Sequence, residues 1–429
     1  MRPYKPVWHE MVSQAVKGDL RASVLSAFNC NADVIVHLSS SKLQFALEKN
    51  PGHVEGIDSF DITGIEKVGS PREFFGVLVD RLSKGKSFHV IVDEQLLPWL
   101  EEHFSEEEES MGGQAGIIAN QMARLGATSI IYTRLLPPKQ AKLFDERVLY
   151  PKVEDGRLSL VRIRELELRD SKIKINWIFE FKAGETFKIG KREIVTPRAN
   201  RVILASRPKE AMIGFAREIR PYLPELGRHV QLGFMAGYHY ADFTMPDGEP
   251  FGDWLAASVE DLKLLRERNP ALRLHLEYVP VKQRELERET IERVCSAVNS
   301  FGINENEIKR VLQQFGYQRE FREILENESA FTLYQGALRL LNRLGLERIQ
   351  VHNLGYYVVI LRKPYNVSPE LVRRSCLYAS AVNAIKAKYG GYVEREQLAE
   401  AASFELSELG FWQLERFAGE IERTGGLEA

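Results

Sequence analysis

The chain has 429 residues, enough for two or three average domains or for one large domain carrying an insertion. With 44% hydrophobic and 28% charged residues it has the composition of a soluble globular protein with a substantial core. A net charge of −2 argues against a general nucleic-acid binder, and no stretch reaches the length of a membrane span. The first residues hold no apolar signal-peptide core. Cys30, Cys295 and Cys376 form neither a CxxC pair nor a zinc spacing, so a reduced cytoplasmic compartment is expected.

Ala22 to Phe28 reads as a buried strand that runs into Asn29-Cys30-Asn31-Ala32-Asp33. Ser70-Pro71-Arg72-Glu73 opens a helix, with serine as N-cap, proline in the first turn and glutamate closing a capping box. That helix ends near Lys84-Gly85-Lys86, and Phe88 to Val92 is the next strand. The acidic residues Glu101-Glu102 and Glu106 to Glu109 read as a solvated helix end or loop. Met111-Gly112-Gly113-Gln114-Ala115-Gly116 then leads into an apolar helix, Ile117 to Leu125, followed by a strand from Ser129 to Thr133. Such alternation predicts an α/β layer fold with a largely parallel sheet.

Between Tyr150 and Ser206 the pattern changes. Asp155-Gly156 separates two strand-like runs, a hairpin signal. Trp177 to Phe181 and Thr186 to Ile189 continue in that style, with turns at Ala183-Gly184 and Gly190. These runs predict a β-rich lobe or lid inserted into the α/β body. From Pro208 the alternation resumes with a helix, a strand at Val230 to Met235, a helix at Trp254 to Arg266 and a strand at Arg273 to Tyr278. Strands at Ile349 to His352 and Tyr357 to Leu361 follow, then a long helix opened by Ser368-Pro369.

Five constellations carry chemistry. The glycine run at 112–116 feeds a helix N-terminus, whose free N–H groups suit an anion or a sugar hydroxyl. Asn29-x-Asn31-x-Asp33 ends a strand, where open α/β sheets bind ligands, and can hold sugar hydroxyls; a plain turn is the alternative. Lys174, Arg201 and Arg207 can clamp a phosphate, or else line a solvated strand face. His275-x-Glu277 and Asn304-Glu305-Asn306-Glu307 offer oxygen ligands for Mg²⁺, with helix capping as the alternative for the second block. Val351 to Tyr357, two strands around a glycine break, can stack on a purine or form a core hairpin.

Taken in order, these blocks resemble the ADP-dependent phosphofructokinases and glucokinases of the ribokinase superfamily, the phosphofructokinases most closely. The matching pieces are Asn31-Ala32-Asp33, the run from Gly112 to Asn120, Phe179-Glu180-Phe181, Ala236-Gly237-Tyr238, His275-Leu276-Glu277, Gly302 to Glu307 and Val351-His352. The resemblance implies a ribokinase-like three-layer α/β/α core with a smaller β-rich lid. It places residues 1–32, 111–165 and 209–429 in the large domain, and 33–110 and 166–208 in the lid. It implies transfer of the β-phosphate of ADP to fructose 6-phosphate in glycolysis, with Mg²⁺. Asn31, Asp33, Gly113 and Gln114 would face the sugar; Lys174, Arg201 and Arg207 would hold its phosphate. His275, Glu277, Asn304 and Glu307 would organise the metal and its waters, and His352 and Tyr357 would lie beside adenine. Glucokinases of the family carry a lid-strand glutamate where this chain has His89, which favours fructose 6-phosphate over glucose.

One departure stands out. Members of the family end with a Gly-x-Gly-Asp turn, an anion hole whose aspartate takes the sugar hydroxyl's proton. No such string occurs here. Tyr389-Gly390-Gly391-Tyr392 lacks the acid, Phe251-Gly252-Asp253 reads as a helix cap, and Gly410, Gly419 and Gly425-Gly426 do not fit. The expectation is a chain that is C-terminally incomplete or has lost its terminus, nearly inactive as it stands. Glucokinase or bifunctional activity, and a non-catalytic binder of nucleotide or sugar phosphate, are the alternatives. Nothing in the sequence sets an oligomeric state.

Overall fold

The computed structural model describes residues 4–53, 55, 57, 60–104, 108–169, 172–189 and 191–424. The turn expected at Gly190, the acidic Glu106-Glu107 and the glycines Gly425-Gly426 lie outside them.

Two sheets organise the chain. The larger has nine strands in the order Tyr356–Leu361, Arg348–Asn353, Ser300–Asn304, Arg273–Glu277, Leu232–Ala236, Ser23–Phe28, Thr128–Tyr132, Leu149–Glu154 and Arg157–Arg162. Seven successive strands run parallel from Arg348–Asn353 to Leu149–Glu154, and each edge is finished by an antiparallel pair. One face buries Leu274, Leu276, Phe301, Ile303, Ile349 and Val351 in a single core shared with helices Phe251–Glu267, Glu305–Gln314 and Ala330–Leu344. The opposite face is covered by Gln114–Arg124, whose Ala115, Ala119 and Ala123 pack near Ile131 and Val148. Farther along, Pro369–Tyr389 packs with the first helix, Tyr4–Ala15. Helices on both faces of a mostly parallel sheet make a three-layer α/β/α body.

The smaller sheet has six strands, Lys67–Val68, Phe88–Val92, Asn200–Ala205, Ile175–Phe181, Asn31–His37 and Glu108–Gly112. Its two faces differ because side chains alternate. Ala32, Val34, Val36, Trp177, Phe179, Val202 and Leu204 bury one face against helix Pro71–Lys84, whose Phe74 ring centroid lies 4.9 Å from that of Phe179. The register Asp33↔Asn176, Arg201↔Glu180 and Ile203↔His89 puts polar side chains on the other face.

Ser70 and Ser368 cap their helices as expected, accepting from Glu73 N and Leu371 N, but the capping box expected at Ser70 does not close, because the Glu73 carboxylate accepts from Gly69 N at 2.7 Å and from the Ser70 hydroxyl. The hairpin at Asp155-Gly156 forms with both residues at positive φ, but it joins Leu149–Glu154 to Arg157–Arg162 in the large sheet and so belongs to the body, not to a β-rich lobe. Asn31 to Asp33 are not a turn; they open the strand Asn31–His37. Glu101 and Glu102 do sit in a helix end, whereas Glu108 and Glu109 start a strand. Gly252-Asp253 lies inside the first turn of Phe251–Glu267, with Pro250 as N-cap.

No helix begins at Pro208; the first helical turn after it is Arg220–Tyr222. Residues 212–215 are buried as irregular backbone because side chains satisfy it. Arg134 donates to the Gly214 and Phe215 carbonyls and Trp254 to that of Ile213. Among the described residues no helix is long and apolar enough to cross a membrane.

Candidate active site

The chain passes between the two sheets where Phe28 gives way to Asn31, where Gly112 gives way to Gln114, ahead of Ile175, and after Ala205. Asn29, Gly113, Lys174 and Arg207 therefore stand on the crossings, and one cleft collects them.

Its floor is the glycine run. Gly112 pairs with Asn31, and a Cβ on Gly112 would land 2.2 Å from Asn31 Nδ2 and 2.4 Å from Asp33 Oδ2. Gly113 has φ 75°, and a Cβ there would meet the Asn29 carbonyl oxygen at 2.3 Å. Glycine at both positions lets the helix start close beneath the polar strand. The polar groups interlock. Asn31 Nδ2 donates to Asp33 Oδ1 at 2.6 Å, Asn176 Nδ2 to the same oxygen at 2.7 Å, and Arg207 to Asn176 Oδ1 at 2.9 Å. Asn29 Nδ2 donates to Gln114 Oε1 at 3.2 Å, while Asn29 Oδ1 accepts from Lys174 Nζ at 2.6 Å. Burial raises the Asp33 carboxyl above its usual range, against the opposing pull of Asn176 and Arg207.

Cations gather above this floor. Lys174 is only 4% exposed, and burial followed by the Arg207 charge drives its ammonium well below the ordinary lysine value. Lys174 Nζ stands 4.1 Å from the Tyr240 ring centroid and the Arg207 guanidinium 5.6 Å from it. His239, its ring centroid 4.0 Å from that of Tyr240 and tilted 40° to it, is held down to about 3 by burial, then by Lys174, Arg207 and His89; its Nδ1 is shielded from solvent without a hydrogen-bond partner. His89 is lowered by burial and Arg207. A buried ammonium beside a half-buried guanidinium, with Asp33 as the nearby carboxylate, makes a seat suited to an anion. Arg201 lies farther out on the small sheet, 3.8 Å from Glu180, and reaches Asp33 only through its field.

A second cluster lies on the large sheet. His275 Nε2 is 3.2 Å from Glu277 Oε2, and Gly302 on the adjacent strand leaves room for them, since a Cβ there would come 2.3 Å from Glu277 Oε2. Asn304 caps the helix Glu305–Gln314, accepting from Asn306 and Glu307, and Glu307 answers by accepting from Asn304 N at 2.9 Å. The capping role expected for this block is therefore present. Glu307 is pushed up to about 7 by burial, with Glu277 and Glu305 adding to the rise. Among the described residues no group of three or more His, Cys, Asp or Glu side chains is set for a metal.

His352 and Tyr357 face each other across the edge hairpin, in the row that begins with Asn304. Tyr357 Oη accepts from Asn383 Nδ2 at 3.2 Å. The structure thus joins Asn31, Asp33, Gly113, Gln114, Lys174, Arg207 and His89 into one cleft. Asn304, His352 and Tyr357 form a second group along the sheet, beside Glu277 and Glu307. Sequence reasoning missed Asn176, His239 and Tyr240. Asn176 was hidden at the head of an apolar strand, while Gly237, with φ 117°, marks the turn that delivers His239 and Tyr240.

Residues 22–412 match the model of the ADP-specific phosphofructokinase/glucokinase conserved region. The chain is 32% identical over 419 residues to an ADP-specific phosphofructokinase of Thermococcus zilligii, covering 95% of this chain and 88% of the relative. It is 26% identical over 412 residues to an ADP-dependent glucose/glucosamine kinase of Pyrococcus furiosus, covering 94% and 86%. A solved ADP-dependent kinase in complex with fructose 6-phosphate and ADPβS superposes with a TM-score of 0.79 at 30% identity, over 99% of this chain and 88% of that one.

Proposed function

The chain belongs to the ADP-specific phosphofructokinase/glucokinase family, and on that premise we propose that its cleft binds ADP and fructose 6-phosphate for phosphoryl transfer between them. The observation that carries the choice of sugar is the pair of buried Lys174 and half-buried Arg207 over Tyr240, a cationic seat with no use in binding neutral glucose. Lys174 meets the 6-phosphate as a point charge and Arg207 as a fork, with His239 Nδ1 free for one more hydrogen bond. Asn31, Asp33 and Gln114 take the sugar hydroxyls, and His89 sits where it cannot mimic a glutamate that selects glucose.

Glu277 and Glu307 fit a hard divalent cation: two neighbouring partly buried carboxylates repel each other, and burial and that repulsion raise Glu307. Mg²⁺ typically needs only one or two carboxylates beside waters and substrate phosphates. Bound there, it supplies neutralisation of the diphosphate charge. Asn304 and Glu307 hold the helix terminus in register beside it, and His352 and Tyr357 flank the nucleotide base. The small sheet acts as a lid, whose polar face closes on the sugar and shields the donor from water. Three free cysteines suit a reducing cytoplasm.

The 429 residues contain no Gly-x-Gly-Asp turn. Coupled measurement of AMP formation from ADP tests the reading. Transfer to fructose 6-phosphate in preference to glucose, however slow, supports it; preference for glucose overturns the choice of acceptor.

A further inference from the structure

Across three adjoining strands of the large sheet runs a line of four side chains. Arg348 NH1 donates to Ser300 Oγ at 3.1 Å, Ser300 Oγ lies 2.8 Å from His275 Nδ1, and His275 Nε2 lies 3.2 Å from Glu277 Oε2. Sheet register places them there: Ser300 is opposite both His275 and Arg348. Ser300 is buried, and the His275 and Glu277 side chains are 13% and 22% exposed.

The two ends dictate the direction of every bond. A guanidinium only donates, so Ser300 Oγ accepts from Arg348. A carboxylate only accepts, so a neutral His275 carries its proton on Nε2 and presents Nδ1 as an acceptor. The Ser300 hydroxyl proton then goes to Nδ1. Gly302 gives the line its space, because a Cβ at that position would come within 2.7 Å of His275 Nε2 as well as against Glu277.

We propose that Ser300 and Arg348 are positioning residues that fix the Nε2–H tautomer of His275 and thereby lock the rotamer of Glu277 for a divalent cation. The inference rests on the reading of Glu277 as a cation carboxylate. It makes His275 an orienting group, with both ring nitrogens committed to protein partners. Partners of this kind typically govern metal affinity by about 10- to 100-fold.

Two readouts on the full 429-residue chain test it. Long-range ¹⁵N–¹H spectra of ¹⁵N-histidine protein, assigned with His275→Gln, should show the Nε2–H tautomer in the parent and its loss or mixing in Ser300→Ala. Mn²⁺ binding in the presence of ADP, followed by electron paramagnetic resonance, should weaken by about 10- to 100-fold in Ser300→Ala and Arg348→Gln and recover in Ser300→Thr. An unchanged tautomer in Ser300→Ala overturns the relay. Parent-like Mn²⁺ affinity in both variants overturns its effect on the cation. If the parent itself takes no Mn²⁺, the cation reading of Glu277 falls, and the tautomer alone decides the relay.

Discussion

Replacing Lys174 with methionine separates what this lysine does for binding from what it costs the fold. The ammonium is buried, donates to Asn29 Oδ1 at 2.6 Å and leans on Tyr240, while Asp33 acts on it only weakly. Without a ligand it is a desolvated charge that lacks full compensation, a state that costs several kcal/mol. Methionine keeps the stem and removes the charge, leaving Asn29 Oδ1 unsatisfied at a cost of about 1–3 kcal/mol. The ligand-free variant should therefore be as stable as the parent or more so. Binding moves the other way. A charged hydrogen bond to the phosphate is worth about 1.5–3 kcal/mol, so the Kd for fructose 6-phosphate should rise about 10- to 150-fold. The pH dependence follows from the lowered lysine value. Between that folded value and 10.5 the unfolded chain holds the extra proton, so parent stability rises with pH across this window and the penalty is full below it. Lys174→Met should flatten that slope. Calorimetric titration with fructose 6-phosphate and melting curves from neutral to alkaline pH measure both effects. Unaltered affinity, or a slope identical to the parent's, would refute the reasoning.

Three further outcomes are expected. Gly113→Ala forces a non-glycine residue to φ 75° and a Cβ against the Asn29 carbonyl, so it should cost at least about 1–2 kcal/mol in urea unfolding and abolish sugar binding; wild-type melting and binding would contradict the close approach. Asn304→Ala removes the side-chain half of the capping box, the acceptor for Asn306 N and Glu307 N, and should lower stability by about 0.5–2 kcal/mol, seen as a reduced urea midpoint. Glu277→Gln should weaken ADP binding when Mg²⁺ is present and leave it nearly unchanged in EDTA; equal weakening in both buffers would argue that Glu277 acts on folding instead.

Local signals were legible where local chemistry decides the outcome. Ser70-Pro71 and Ser368-Pro369 announce helices because the cap and the proline act within one turn, and Asp155-Gly156 announces its hairpin because only such residues tolerate both positive φ values. What stayed hidden depends on pairing between distant segments. Asn176 looks like the edge of an apolar run until the strand register sets it beside Asp33. Lys174 and Arg207 share one ring, whereas Arg201, grouped with them as a phosphate clamp, is drawn off to Glu180. The stretch after Pro208 has helical spacing, yet Arg134 and Trp254 satisfy its backbone from elsewhere in the fold, and tertiary hydrogen bonds override the pattern.

The proposed function rests on Lys174 and Arg207 selecting a phosphorylated sugar. Titrating the 429-residue chain with fructose 6-phosphate, fructose and glucose in the same buffer, with ADP and Mg²⁺ present, tests it most directly. Fructose 6-phosphate should bind at least about tenfold more tightly than either neutral sugar, about 1.4 kcal/mol. Glucose binding as tightly as fructose 6-phosphate, or no preference for the phosphate over fructose, would contradict it.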